Sequence, residues 1–341
     1  MRIAIVNDLA LAVTSIRRVL EHEGRHSITW VARDGQDALA RFVADEPDLV
    51  LMDLMMPVLD GVQATKRIRE ISKCPILLVT ADAGRSSGLI FEAMGHGALD
   101  VVNVPVLTEP PEVSGRQLLQ KIATIERLQG RTGSAPRRPA QQPGAAVAPV
   151  ARRRAPLIAI GSSTGGPRTL ATVLAPLPRQ MANAVVVIQH IDAQFAPGLV
   201  SWLDGQIALP VRGAEAGMVP QAGTVSVAIS NDHLVIQADG RFAYQAEPLE
   251  EPYRPSVDVF FRSLVKHWRD PGLAVLLTGM GRDGGKGMLA LRRAGWHTIA
   301  QDEASCAVYG MPKAAVELGG AIEVLPPEAI ARSLGQRLAS R

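Results

Sequence analysis

A short run of small residues in the second half of the chain could carry nucleophilic chemistry. Residues 161–165 match the pattern G-x-S-x-G, with Ser163 at its centre. An apolar run of strand length precedes this pattern, and Pro167 opens a helix-like run after it. A strand, a tight turn and a helix in this order present the turn at the carboxyl end of a parallel sheet. Such a turn either binds phosphate at the helix N-terminus or holds a serine nucleophile on a sharp elbow.

Residues at the ends of two other predicted strands help to decide between these chemistries. His190 follows the next apolar run, and Asp283 lies in a glycine-rich loop after a third one. A serine needs a base to take its proton, and the base needs a carboxylate to fix its tautomer. A dinucleotide site needs an acidic residue near the end of the second strand, where this chain has Gln189. The sequence therefore favours acyl transfer by Ser163, His190 and Asp283, with a reductase as the weaker alternative.

Further residues near the elbow have narrower predicted roles. Ser162 is the competing nucleophile, but it occupies the wrong place in the pattern. A tetrahedral oxyanion needs preorganised donors, and the backbone N–H groups near Thr164, Gly165 and Met280 are the candidates. The chain order Ser, His, Asp differs from that of the α/β-hydrolases, so the elbow alone does not imply their fold. Surface or packing roles are predicted for Cys306 and for His22, His26, His96, His233, His267 and His297.

Composition restricts the classes of function. A chain of 341 residues is long enough for about two domains. The net charge of +3 includes six arginines in one Pro- and Gln-rich stretch without an acid, so no nucleic-acid surface is predicted. The two cysteines lack metal-ligand spacing, which favours a reducing cytoplasm. The N-terminus does not match a signal peptide, and no run of 18 apolar residues predicts membrane insertion.

The first third of the chain alternates strand-like and helix-like runs. Its strands are apolar throughout, which predicts a parallel sheet with helices on both faces. Asp8, Asp53 and Thr80 each follow a predicted strand, at the edge where such sheets bind ligands. The weaker alternative is that Asp53 is only a polar cap at the end of its strand.

Residues 53–61, with Asn7, Asp8 and Thr80, resemble the receiver domain of two-component response regulators. The resemblance implies a flavodoxin-like fold and phosphorylation of Asp53 by a histidine kinase. It also implies Mg²⁺ bound by Asp8 and Asp53, and a Thr80 hydroxyl that senses the phosphoryl group.

The receiver pattern is incomplete at three positions. Asn7 stands where receivers usually carry a second acid, Val101 where they carry an aromatic ring, and Val104 where they carry a lysine. One magnesium ligand, the ring that moves on switching and the cation that pairs with the phosphoryl group are thus absent. The resemblance further predicts a cis peptide bond between Val104 and Pro105.

The predicted organisation is a receiver domain at 1–128, a Pro-, Ala- and Arg-rich linker at 129–155 and a catalytic domain at 156–341. The last receiver helix is predicted at 117–128. In the second domain, Asn231 and Asp232 predict a β-hairpin between the runs 225–230 and 233–237. Ser256 is the predicted N-cap of a following helix.

Four segments extend the resemblance to nearly the whole chain, at 157–167, 187–190, 277–284 and 309–312. Together they resemble the chemotaxis-type protein-glutamate methylesterases, in which a linker joins a receiver to a catalytic domain. That family implies a doubly wound, mostly parallel α/β catalytic domain. It implies hydrolysis of glutamyl γ-methyl esters on chemoreceptor signalling helices, releasing methanol, and often deamidation of receptor glutamines. Hydrolysis is expected to need no cofactor.

The expected partners are methylated chemoreceptors and a histidine kinase, and the expected state is a cytoplasmic monomer. Residues 5–8 and 91–100 are most similar to the Wsp-type branch, which serves a surface-sensing array that controls a diguanylate cyclase. The alternative from another class is a receiver-controlled adaptor that binds receptors without turnover. An intact set of Ser163, His190 and Asp283 argues against that alternative.

Overall fold

The computed structural model describes residues 1–81, 83–129 and 155–339. These residues form two compact units, one before residue 130 and one after residue 154. The predicted linker at 129–155 therefore lies outside the described residues, apart from its two end positions. The predicted domain boundaries there stay predictions.

The first unit is a five-stranded parallel sheet in the order β2-β1-β3-β4-β5. Strands β1, β3 and β4 are buried almost throughout, as expected for strands covered on both faces. The last helix extends the predicted 117–128 by one residue at each end. The elements are β1 (Arg2–Val6), α1 (Ala10–Glu23), β2 (Ser27–Ala32), α2 (Gly35–Ala44), β3 (Leu49–Met52), α3 (Gly61–Ile71), β4 (Ile76–Thr80), α4 (Ala83–Gly95), β5 (Asp100–Asn103), α5 (Pro111–Ser114) and α6 (Arg116–Gln129).

Backbone contacts hold Asp53 at the carboxyl edge of this sheet. Its N–H donates to the carbonyl of Val6 across β1 and β3 at 2.9 Å. A Cβ on Gly61 would lie 1.9 Å from the Asp53 carbonyl oxygen, so only glycine lets α3 begin this close to it. Asp60 caps α3 by accepting the N–H of Gln63 at 2.8 Å. The predicted receiver motif is therefore one tightly packed turn around Asp53.

The second unit is a seven-stranded parallel sheet in the order β14-β13-β12-β6-β7-β9-β8. A separate antiparallel pair joins β10 to β11. The elements are β6 (Leu157–Ser162), α7 (Gly166–Leu174), β7 (Ala184–Gln189), α8 (Ala196–Gln206), β8 (Val211–Gly213), β9 (Val225–Val227), β10 (His233–Ile236), β11 (Phe242–Gln245), α9 (Val257–His267), β12 (Leu273–Leu276), α10 (Gly285–Arg293), β13 (His297–Gln301), α11 (Met311–Glu317), β14 (Glu323–Leu325) and α12 (Pro327–Ala339).

The strand order of the second unit reverses between β6 and β12. The chain builds outward from β6 through β7 to one edge, then returns to β12 and builds to the other edge. Open α/β sheets bind ligands in the crevice beyond the carboxyl ends of strands at such a reversal. Strands β12, β6 and β7 lie side by side here, so the loops that follow them meet at one place.

The hairpin predicted around Asn231 and Asp232 is wrong. Strand β9 lies between β7 and β8 in the large sheet, and β10 pairs with β11 instead. The turn of the real hairpin uses Gly240 with a positive φ of 86°, after Asp239. The side chain of Asn231 is engaged elsewhere, because its Oδ1 accepts the N–H of Ala193 at 2.8 Å.

The predicted cis bond between Val104 and Pro105 is also wrong. The cis peptide bonds among the described residues are Glu247–Pro248 and Arg254–Pro255. A trans bond is the ordinary preference of an X-Pro pair. In this arrangement the Pro105 carbonyl accepts the hydroxyl of buried Ser15, and the N–H of Val104 donates to Thr80. The expected lysine at position 104 is absent, and with it the contact that the resemblance implied.

In the described part of the chain, no helix combines the length and the apolar character that a bilayer span requires.

Val58 in the loop between β3 and α3 is predicted to be strained. Its φ is +66°, a region that β-branched residues rarely adopt, and its side chain is 78% exposed. The left-handed conformation costs an L-residue roughly 1–2 kcal/mol, and glycine loses roughly 0.5–1 kcal/mol more on folding. Val58→Gly should therefore raise the free energy of unfolding of the receiver by about 0.5–1 kcal/mol in urea titrations. The exposed helical Val43 is the control, because Val43→Gly should lower it.

Candidate active site and phosphoryl site

The elbow serine lies directly beyond the end of β6, and two neighbouring strands hold it there. The N–H of Ser163 donates to the carbonyl of Thr278, beyond β12, at 3.0 Å. The N–H of His190, beyond β7, donates to the carbonyl of Ser162 at 2.9 Å. The sheet ladder thus continues past the ends of β6, β7 and β12. It brings the predicted serine and histidine to the same edge.

The two adjacent serines have different environments. Ser162 is fully buried, and its hydroxyl donates to Oε1 of Gln189 at 2.6 Å. The amide nitrogen of Gln189 donates in turn to the carbonyls of Ser163 at 2.8 Å and His190 at 3.3 Å. The hydroxyl of Ser163 makes no hydrogen bond to any described residue. Ser162 is therefore part of a structural bracket, and Ser163 is the serine that is free to react.

His190 is polarised by a carboxylate at one ring nitrogen. Its Nε2 lies 2.7 Å from Oδ2 of Asp283, and both side chains are buried. Its Nδ1 is also buried and has no partner among the described residues. Because a neutral imidazole carries one N–H, the proton on Nε2 leaves Nδ1 as the acceptor. In this tautomer Nδ1 is an unoccupied acceptor, which is what a general base requires.

The Asp283 carboxylate accepts five hydrogen bonds, three of them from the N-terminus of α9. The donors are Nε2 of His190 (2.7 Å), the hydroxyl of Ser256 (2.8 Å) and the backbone N–H groups of Val257 (2.7 Å), Asp258 (2.9 Å) and Gly284 (3.0 Å). Burial by itself would raise the pKa of Asp283, but the hydrogen bond and charge of His190 and these backbone donors hold the pKa below its ordinary value. The carboxylate therefore stays ionised beside the imidazole.

The sequence reasoning missed several residues that support this carboxylate. Ser256 is the predicted N-cap, since it accepts the N–H of Val259 at 3.3 Å, but its bond to Asp283 was not foreseen. His233 was predicted as a surface or packing residue; it is fully buried, and its Nδ1 accepts the N–H of Ser256 at 3.1 Å. Burial, together with the Asp283 charge, raises the pKa of Asp258 to about 6. The run Pro255-Ser256-Val257-Asp258 was the available signal, because a capping serine precedes an acid there.

The predicted oxyanion donors lie in two glycine-containing loops that contact each other, one after β6 and one after β12. Gly165 has a φ of +74° and precedes α7. A Cβ on Gly279 would lie 2.7 Å from the Ser163 Cβ. The hydroxyl of Thr278 donates to the carbonyl of Thr164 at 3.0 Å and so fixes the elbow. Among the described residues, the N–H groups of Gly165 and Met280 have no acceptor, which leaves them available to a ligand.

Three of the remaining histidines and Cys306 are explained by structural contacts or burial. His297 bonds to Glu323 at 2.6 Å, and His22 and His26 each face a glutamate. Burial raises the pKa of the Cys306 thiol, so this thiol stays protonated. Neither observation places a second nucleophile near Ser163.

The candidate phosphoryl site of the receiver is a buried aspartate, Asp53, with its neighbours. Burial raises the pKa of Asp53 to about 6, against the backbone N–H groups of Leu54 and Met55, and the Asp8 charge adds to the rise. Thr80 is the buried last residue of β4, and its hydroxyl donates to that of Ser86 at 3.4 Å. The sequence placed Asp8, Asp53 and Thr80 at this edge, and all three lie at the ends of their strands.

The residues present fit a divalent cation with two carboxylate ligands. Asp53 and Asp8 repel each other, and a cation between them would relieve that repulsion. Asn7 supplies no third carboxylate, and its Oδ1 already accepts the N–H of Leu9 at 2.8 Å. No group of three or more His, Cys, Asp or Glu side chains in the described ranges could hold a metal. The site is therefore weaker in charge than one with two adjacent acids.

A receiver followed by a domain with a serine, a histidine and an aspartate at one sheet edge defines a response regulator with a hydrolytic output domain. Comparison with family models agrees with this class. The model described as CheB methylesterase matches residues 158–334, and the model described as response regulator receiver domain matches residues 3–109. The chain belongs to the CheB-type protein-glutamate methylesterases that carry a receiver domain.

Similar proteins extend over the whole chain. A protein of Cupriavidus metallidurans named protein-glutamate methylesterase/protein-glutamine glutaminase is 52% identical, over 98% of this chain and 97% of its own length. A protein of the same name from Pseudomonas syringae is 49% identical, over 98% of each chain. The crystal structure of the Thermotoga maritima CheB methylesterase catalytic domain is 35% identical, with a TM-score of 0.52, over 54% of this chain and all of that one.

Replacing Asp283 by asparagine should disturb both the tautomer of His190 and the hydrogen bonds at the N-terminus of α9. Either orientation of the amide turns its NH₂ toward groups that already donate, and the amide favours the wrong tautomer of His190. Asp283→Asn should lower kcat by about 10⁴-fold and the free energy of unfolding by about 1–3 kcal/mol. Methanol release and urea unfolding measure the two effects. The control is Asp258→Asn, which keeps an oxygen for the N–H of Gly287 and should retain activity within about tenfold.

Protonation of Asp53 should stabilise the receiver in the absence of Mg²⁺. The folded-state pKa of about 6 lies above the ordinary value of 3.8, so the folded state binds the proton more tightly. Stability should therefore fall as pH rises from 4 to about 6, and the full penalty is present at pH 7.5. Asp53→Asn should raise the free energy of unfolding at pH 7.5 by about 1–3 kcal/mol, with no gain left near pH 4. An equal gain in stability at both pH values would show that the gain does not come from removing the ionised Asp53 carboxylate.

Proposed function

We propose that this chain hydrolyses γ-methyl esters of glutamyl side chains, and deamidates glutamine side chains, on chemoreceptor signalling helices. The observation that carries this proposal is the buried pair of His190 and Asp283 with an unpartnered Nδ1, beside a serine whose hydroxyl is free. The names of the relatives, which span the whole chain, support the two activities. A protein that only binds receptors would not need a buried histidine–aspartate pair beside a free serine hydroxyl.

The first half of the reaction forms an acyl-enzyme. The Ser163 hydroxyl turns toward Nδ1 of His190 and gives up its proton as Oγ attacks the ester carbonyl carbon. Asp283 stabilises the imidazolium through Nε2 and does not itself take the proton. The N–H groups near Thr164, Gly165 and Met280 bind the oxyanion. His190 then protonates the leaving methoxide, and methanol departs.

The second half repeats the proton transfer with water. His190 takes a proton from a water molecule, which attacks the acyl carbon, and the proton returns to Oγ of Ser163. The products are a glutamyl carboxylate and the free serine. For a glutamine substrate, His190 protonates the amide nitrogen as the C–N bond breaks, and ammonia departs. No cofactor enters these steps.

The proposed nucleophile is tested by a pair of adjacent substitutions. Ser163→Ala should abolish methanol release from methylated receptor and leave the unfolding transition unchanged. Ser162→Ala should retain activity within about tenfold but lose about 1–3 kcal/mol of stability, because Oε1 of Gln189 is left buried without its donor. If the two activities were exchanged, Ser162 would be the nucleophile. If neither variant differed from wild type in methanol release, the triad would be wrong.

The proposed regulation runs through the receiver. A histidine kinase phosphorylates Asp53, with Mg²⁺ held by Asp8 and Asp53, and Thr80 responds to the phosphoryl group. When bound, the cation supplies charge neutralisation for the incoming phosphoryl oxygens. In this proposal the receiver gates the catalytic domain: it inhibits hydrolysis until Asp53 is phosphorylated. Asn7, Val101 and Val104 make activation smaller than in receivers with the full set.

The regulation is tested by methanol release with and without a phosphodonor. The intact chain, its Asp53→Asn variant and residues 150–341 are compared. Phosphodonor should activate the intact chain but not Asp53→Asn, and residues 150–341 should be faster than the unphosphorylated chain. An isolated catalytic domain that is no faster would exclude gating. Full activation at ordinary Mg²⁺ would exclude the weakened switch, since a missing lysine contact alone removes about 1.5–3 kcal/mol.

We propose that the protein is a monomer in the cytoplasm. We also propose that it acts with a surface-sensing array of the Wsp type. Both cysteines are unpaired in the described structure. Burial raises the pKa of Cys74 to about 12, so this thiol is inert in a reducing compartment. Size-exclusion chromatography with light scattering tests the monomer, and receptor pull-down from cells with and without the array tests the branch.

A further inference from the structure

Tyr253 covers one face of the catalytic imidazole. The rings of Tyr253 and His190 lie 4.5 Å apart between centroids, and their planes are only 4° from parallel. Tyr253 precedes α9, and its side chain is half-buried. Sequence reasoning gave this tyrosine no role, because nothing in the local pattern links it to a histidine 63 positions earlier.

The hydroxyl end of Tyr253 packs against the glycine-rich loop that carries Asp283. Gly281 has a φ of +83°, and a Cβ on it would lie 2.5 Å from the Tyr253 hydroxyl oxygen. The missing side chain at Gly281 thus makes room for the phenol. Tyr253 is enclosed between the face of His190 and the backbone beside Met280, the proposed oxyanion donor.

The other contacts of the His190 ring do not prevent the plane of the imidazole from tilting. The bond from Nε2 to Asp283 fixes one ring atom, and Nδ1 has no partner among the described residues. A single in-plane bond allows the ring to tilt about it. A parallel ring on the face opposes that tilt. Because Nδ1 must reach the Ser163 hydroxyl, the tilt of the ring decides whether proton transfer can occur.

The stack also acts differently on the two charge states of His190. The imidazole becomes an imidazolium whenever it holds the serine or water proton. An aromatic face attracts a cation more strongly than a neutral ring, and the attraction grows where water is excluded. Asp283 contacts the edge of the ring at Nε2, and Tyr253 supplies the contact to its face. An interaction that strengthens in the transition state raises kcat rather than lowering KM.

We propose that Tyr253 is a positioning residue for His190, whose ring fixes the plane of the imidazole and stabilises the imidazolium during each proton transfer. This inference rests on the proposed esterase function. It assigns the effect to the aromatic ring and not to the phenolic hydroxyl. In this proposal Tyr253 gives or takes no proton and forms no bond, so it acts on the reaction only through the ring of His190.

The test compares three full-length variants, Tyr253→Phe, Tyr253→Leu and Tyr253→Met, with wild type. Phenylalanine keeps the ring, whereas leucine and methionine keep apolar bulk without it. The Phe variant should retain kcat within about twofold, and the Leu and Met variants should lose about tenfold in kcat with KM nearly unchanged. Urea unfolding confirms that each variant is folded, and the Met variant serves if the Leu variant is not.

A spectroscopic readout separates the stack from the activity. Proton NMR of the His190 ring, assigned with a His190→Gln variant, is recorded without substrate. The ring-current shift from the stacked tyrosine should persist in the Phe variant and disappear in the Leu and Met variants. If wild type releases no methanol, the esterase proposal fails, while these shifts still test the stack.

Three results would overturn the inference. Leu and Met variants within twofold of wild type in kcat would show that the ring does not position the imidazole. A Phe variant as slow as the Leu variant would assign the effect to the hydroxyl. A rise in KM at unchanged kcat would make Tyr253 a substrate contact instead.

Discussion

The arrangement at Asp283 is the constraint on which the second unit depends. One carboxylate ends the glycine-rich loop after β12, accepts the first N–H groups of α9 and polarises His190. Helix N-termini favour anions, so the helix and the carboxylate stabilise each other before any catalytic role is considered. The histidine therefore gains a charged partner whose position is fixed by the packing of a whole helix rather than by a single side chain.

The two aspartates at sheet edges illustrate how environment sets chemistry. Asp283 and Asp53 both follow parallel strands, and both are buried. Asp283 has five donors, and its pKa is lowered, whereas Asp53 faces Asp8 with only neighbouring backbone donors, and its pKa is raised to about 6. The first carboxylate is a permanent anion suited to hold a cationic histidine. The second is a carboxylate whose charge is uncompensated, so a nearby cation would stabilise its ionised form.

Much of the fold and of the site could be predicted from the sequence, for identifiable reasons. Apolar runs ending in polar residues located Asp53, Ser163 and His190, because parallel strands put their carboxyl ends at one edge. The hairpin at Asn231 failed because strand pairing depends on which edge is free, and β7 takes β9 in the large sheet. The contacts of His233 and Tyr253 could not be predicted, since each joins residues far apart in sequence through packing alone.

The hydrogen bond between Ser162 and Gln189 occupies one of the two adjacent serine hydroxyls, and it does so independently of pH. A carboxylic acid at position 189 would be a second anion next to His190, able to compete with Asp283 for its proton. An amide keeps the same geometry without a charge, and it does not titrate over the range in which proteins fold. The identity of the reactive hydroxyl is therefore set by a neutral group. It stays the same wherever the imidazole itself changes its protonation.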